Sequence, residues 1–117
     1  MDEWGNFHLE LKRLLELAGV AENVVIWSGN VHFAEVSKDD ESGVNEFTSS
    51  GMTHVNELYG RAPNMYRVGD PYIDLNIGLM EIDWEKQKVA LSAMKQDGEL
   101  AFQQVIDLPE AKGNRER

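Results

Sequence analysis

The C-terminal third of the chain constrains the fold most. Ile73, Leu75, Ile77 and Leu79 alternate with Asp74, Asn76 and Gly78, the period-two pattern of a half-buried strand. The phase then reverses, and Met80, Ile82 and Trp84 become the apolar set. One strand face cannot hold both sets, so a bulge near Gly78 is expected. Glu85 to Gln87 reads as a turn, and Val89, Leu91 and Ala93 form the next strand. Asp97-Gly98 is a hairpin signal, after which Leu100 to Ile106 returns. The prediction is a three-stranded antiparallel meander, which needs other elements to cover its apolar surface.

Those elements come earlier. Phe7, Leu11, Leu14, Leu15 and Ala18 share one face of a helix, with Glu10, Lys12, Arg13 and Glu16 elsewhere around it. Asn6 is the expected N-cap and Gly19 the expected stop, giving about twelve residues or ~18 Å. The apolar run Val24 to Trp27 follows as a strand covered on both faces. It leads into Ser28-Gly29-Asn30, and His32 then lies between Val31 and Phe33. Lys38 to Glu41 reads as a solvated loop, Val44 to Thr48 as a strand, and Met52 to Tyr59 as one or two helical turns. Gly60 to Tyr72 has little periodicity and reads as one long loop. Trp4, Trp27, Trp84 and Phe102 are assigned to the core. The fold class is layered α/β, with one amphipathic helix, a buried strand and the meander. One helix cannot cover both faces of a central sheet, so the chain is expected to be part of a larger domain.

Composition bounds the partners. The chain has 117 residues, 42% hydrophobic and 27% charged, as in ordinary globular proteins. Its formal charge of -10 repels nucleic-acid phosphates; it suits divalent cations, and solubility alone accounts for it equally well or better. There is no apolar run long enough for a membrane segment, and Met1-Asp2-Glu3-Trp4 lacks signal-peptide regions. The absence of cysteine excludes disulfides, thiolate metal sites and a thiol nucleophile. No EF-hand spacing is present.

Four ordered blocks carry a resemblance. Ser28-Gly29-Asn30-Val31-His32-Phe33-Ala34-Glu35-Val36 resembles the "ISGDVHFAE" block of the alkaline phosphatase D (PhoD-like) family. Glu46-Phe47-Thr48-Ser49-Ser50-Gly51-Met52-Thr53-His54 is similar to its "ELTSSGLTH" block. Arg67-Val68-Gly69 and Asn76-Ile77-Gly78-Leu79-Met80-Glu81-Ile82-Asp83-Trp84 resemble its "R-x-G" and "NFGLIEIDW" segments. The blocks span about residues 4 to 108. The resemblance implies the C-terminal part (1–108) of a four-layer αββα metallophosphoesterase sandwich, with 109–117 as a polar tail that frays at Lys112 to Arg117. It implies a metal-dependent phosphoric ester hydrolase acting through a metal-activated water. Calcium, iron, manganese or zinc would be held in the complete domain, and the portion here would be inactive alone or bind none. The family's earlier ligand motifs, a strand ending in Asp and an Asn-His-[Asp/Glu] loop, have no counterpart here. An alternative is a non-catalytic interaction module derived from that fold.

The same resemblance selects residues. His32 matches the last ligand histidine; the residue pattern alone also suits a core histidine. Asn30 stands where the family has Asp, offering a metal a neutral carbonyl oxygen but no charge, and it equally suits a turn position. His54, Arg67 and Asn76 are the candidate substrate contacts. Each has a plain alternative: a surface or cap histidine, a surface ion pair, and a solvent-facing strand residue. An unpaired sheet edge where further strands would add is expected to promote self-association.

Overall fold

The computed structural model describes residues 3–109. A short 3-10 turn, Trp4–Asn6, leads into α1 (His8–Ala21). There follow β1 (Val25–Ser28), β2 (Ala34–Lys38), β3 (Asn45–Ser49), α2 (Glu57–Arg61), β4 (Arg67–Tyr72), β5 (Asn76–Asp83), β6 (Lys88–Lys95) and β7 (Leu100–Asp107). The strands form two sheets, β1-β3-β2-β4 and β5-β6-β7. In the first, β1 runs parallel to β3 while β2 is antiparallel to both β3 and β4. The second is the antiparallel meander expected from the sequence. Its β6–β7 turn is held by Gly98 N donating to Lys95 O and by Glu99 N donating to Asp97 Oδ1. Gly98 has φ +86, which explains Asp-Gly at that turn.

The two sheets pack face to face. Val36, Phe47, Val89 and Leu91 form the buried core, with Val25, Val68, Met80, Phe102 and Ile106 around it. Phe47 sits edge-on to both Trp27 and Phe102. Gly78 permits the close approach of the sheets: a Cβ there would lie 2.8 Å from Ser49 Cβ and 2.9 Å from the Trp27 ring. Helix α1 lies over the other face of the four-stranded sheet. The result is a helix–sheet–sheet stack, a mixed α/β architecture. No helix among the described residues is long and apolar enough to cross a membrane.

Several expectations need correction. Strand β5 pairs with β6 in unbroken register from Asn76 to Asp83, so Gly78 is not a bulge. The register shift lies instead between Ala93 and Met94, opposite β7. Both apolar sets coexist because the inward face of β5 is Asn76, Gly78 and Met80. Ile77 and Leu79 point away from it and are 50% and 43% exposed. The supposed loop from Gly60 to Tyr72 ends in strand β4, whose Gly69-Asp70-Pro71 hides its pattern. Pro71 is tolerated because β4 is an edge strand. Asn6 is not the cap of α1. Phe7 occupies that position without a side-chain cap bond, and the helix runs past Gly19 to Ala21. Strand β1 is an edge, not a covered centre, so Trp27 is 46% exposed. Trp4 and Trp84 are also exposed, because each lies outside the two-sheet stack. The polar tail beyond Pro109 lies outside the described residues.

Candidate metal centre

The topology gathers one end of the four-stranded sheet into a loop cluster. Parallel β1 and β3 both end there, at Ser28 and Ser49, and antiparallel β2 begins there at Ala34. The loop after β1 carries Asn30 and His32, and the loop after β3 carries Ser50 and His54. Two segments distant in sequence therefore meet at one sheet end.

Hydrogen bonds fix them against each other. The His32 backbone N–H donates to Ser50 Oγ at 3.0 Å, and its carbonyl accepts from Asn56 N at 3.0 Å. Ser50 N donates to Phe33 O at 3.3 Å. Asn30 and His32 both adopt left-handed backbone conformations, with φ 71 and 62. That is ordinary for Asn and costly for most other side chains. The loop thus turns tightly twice within three residues.

The outcome is a pair of imidazoles. The ring centroids of His32 and His54 lie 3.9 Å apart at an interplanar angle of 68°. His54 Nδ1 is 2.9 Å from Thr53 Oγ1, which leaves its Nε2 as the nitrogen open to a ligand. His32 is half-buried and His54 exposed, so the pair opens to solvent.

Asn76 supports the cluster from the second sheet. It is 4% exposed, and its side chain is fully engaged. Its Oδ1 accepts from Ser49 Oγ at 2.7 Å, and its Nδ2 donates to Asp74 O at 2.8 Å. Its backbone N–H donates to Gly51 O at 2.9 Å. Asn76 therefore clamps the Ser49–Gly51 segment, and through Ser50 it bears on His32.

Arg67 is placed elsewhere. It pairs with Ser37, three residues along β2 from Ala34, or ~10 Å from the end where the histidines meet. Its Nε donates to Glu35 Oε2 at 2.5 Å, and both side chains are largely buried, 15% and 12% exposed. Asn64 Nδ2 donates to Glu35 Oε1 and to Ser37 Oγ. The structure brings together His32 and His54, with Asn30 two residues from His32 and Asn76 beneath; Arg67 is paired with Glu35 and shares with Asn30 a cavity that neither histidine lines.

Ser50 was not singled out by sequence. Ser49-Ser50-Gly51 reads as a strand terminator, and nothing in it signals a hydroxyl aimed 18 residues back along the chain. Among the described residues, no group of three or more histidines and carboxylates is placed to hold a metal ion. The donors on hand are two imidazoles and the nearby Asn30. Imidazole and neutral oxygen suit zinc, manganese or iron, but they fall short of the four or more ligands such ions take. The chain matches no protein-family model and no curated protein.

Proposed function

We propose that this chain is the C-terminal portion of a PhoD-like, metal-dependent phosphoric ester hydrolase within the four-layer metallophosphoesterase fold, with His32 and His54 facing the cation site. The observation that carries the reading is the pairing of the two histidines, 22 positions apart, at the end of two parallel strands. Both belong to sequence blocks that resemble that family. The stacked sheets, with a helix outside one of them, are compatible with three layers of such a sandwich. The uncovered face bearing Ile77 and Leu79 is where a fourth layer would sit.

In that role His32 offers an imidazole from a loop that Ser50 and Asn56 hold in place. His54 adds a second through Nε2, or orients a phosphate ester as a hydrogen-bond donor. Asn30 contributes at most a neutral carbonyl oxygen. A bound divalent or trivalent cation would lower the pKa of a water and offset phosphate charge. Arg67 reaches an ester only if its pair with Glu35 opens. Two imidazoles and one amide make a weak site, so the chain by itself is expected to hydrolyse at background.

The test is calorimetric titration with zinc and manganese on the wild type, His32→Ala and His54→Ala. Wild-type binding in the micromolar to millimolar range, lost in both variants, supports the reading. Unchanged binding in either variant opposes it. A bis-aryl phosphate assay with manganese should stay at background; turnover abolished by His32→Ala would overturn the incompleteness of the site.

The alternative is a non-catalytic module derived from the same fold. Asn30, a neutral amide where the family has a carboxylate, favours it. A strand ending in Asp and an Asn-His-Asp or Asn-His-Glu loop encoded upstream of Met1 would decide for the enzyme.

A further inference from the structure

Between helix α1 and the outer face of the four-stranded sheet lies a cavity of about 660 Å³. Neither His32 nor His54 lines it, but Asn30, Val31 and Arg67 do, so it adjoins the histidine pair without including it. Its size is that of a small-molecule pocket. Roof and floor differ in chemistry. Leu11, Leu14 and Leu15 of α1 form an apolar roof, and no residue of α1 is fully buried. The floor is the polar face of the sheet, with Glu46 near its middle.

The charges around the cavity do not balance. Glu3, Glu35, Asp39 and Glu46 line it against only Lys38 and Arg67. Arg67 is engaged by Glu35, and the Asp39 carboxylate accepts from the Ser42 backbone N–H and hydroxyl. The ion pairs among the described residues are Lys12–Glu16, Glu57–Arg61, Arg67–Glu35 and Lys88–Asp107, and Glu46 belongs to none. Glu46 is half-buried and accepts a hydrogen bond from Ser28 Oγ, a neutral donor. A carboxylate partly removed from water beside an apolar roof attracts a cation that can also cover that roof.

We propose that this cavity is a binding site for an organic ammonium ion with an apolar body. The ammonium group pairs with Glu46, and the hydrocarbon lies under Leu11, Leu14 and Leu15. The chain's net charge of -10 adds a long-range bias toward cations.

The experiment compares three probes of one shape by calorimetry: 4-phenylbutylammonium, 4-phenylbutan-1-ol and 4-phenylbutyrate. The expected result is binding of the ammonium at least tenfold tighter than the alcohol, and no detectable butyrate binding. Glu46→Gln keeps the Ser28 hydrogen bond and should bring the ammonium down to the alcohol's affinity. A second readout does not depend on that variant folding. Amide shifts in the wild type on adding the ammonium should centre on Leu14, Leu15, Ile26 and Glu46. Equal affinity for ammonium and butyrate, an unchanged ammonium affinity in Glu46→Gln, shifts centred elsewhere, or no binding at millimolar ammonium would each overturn the proposal.

Discussion

Gly51→Ala tests how the second sheet holds the histidine loops. A Cβ at Gly51 would overlap Asn76 Nδ2 and lie 3.2 Å from Asp74 O. Both approaches are inside van der Waals contact, and Asn76 cannot yield cheaply. It is buried, and its amide is fixed by Ser49 Oγ and Asp74 O. Displacing it weakens two buried hydrogen bonds, each worth about 1 kcal/mol net, and adds overpacking strain of similar size. The expected loss is about 2–3 kcal/mol, or a fall in Tm on the order of 10 °C for a domain of this size. Asn76→Ala alone should cost about 1–3 kcal/mol, because the Asp74 carbonyl and Ser49 hydroxyl lose their partner. The double variant decides the mechanism. With the Asn76 amide gone, the methyl group introduced at position 51 has room, so the two costs should fall short of additive by about 1–2 kcal/mol. Urea titrations followed by circular dichroism give all four stabilities. Strict additivity would refute the argument, since it would mean that the new methyl and the Asn76 amide do not compete for one space.

Other outcomes follow from the same geometry. Leu91→Ala, at the fully buried centre of the core, should cost about 2–5 kcal/mol in urea unfolding. Arg67→Met should destabilise by several kcal/mol, because Glu35 keeps its charge with only Asn64 as partner. Arg67→Met with Glu35→Leu should recover much of that loss in the same melts. Asn30→Asp, at a position where both residues tolerate φ 71, should tighten zinc binding roughly tenfold by calorimetry. Sedimentation should show self-association at high concentration through the free edges of the two sheets, β1 and β4 in one, β5 and β7 in the other. A strictly monomeric chain would oppose that.

The local patterns were legible where one residue type decides the conformation. Alternation from Ile73 onward and Asp97-Gly98 predicted the meander, although β5 begins only at Asn76, and Leu11, Leu14 and Leu15 predicted the amphipathic helix. Strand β4 was hidden because an edge strand can carry Gly69 and Pro71 without losing its inner ladder. The bulge expected at Gly78 is absent because alternation does not by itself mean burial, and Ile77 and Leu79 face no partner in this structure. The tryptophans misled for the same reason: size and hydrophobicity do not say whether a residue lies at an edge or past a strand end. At the candidate site, Gly29-Asn30-Val31-His32 marked one loop, and the resemblance supplied His54. The contact between them depends on strand order, β1 beside β3 in parallel, which no local pattern encodes. The Ser50 bond to the His32 backbone was invisible for the same reason.

The most direct test of the account follows the imidazole protons of all three histidines by NMR during zinc titration at neutral pH. His32 and His54 are expected to shift together along one binding isotherm while His8, on α1, stays still. Different isotherms for His32 and His54, or movement of neither, would contradict a shared metal-facing pair.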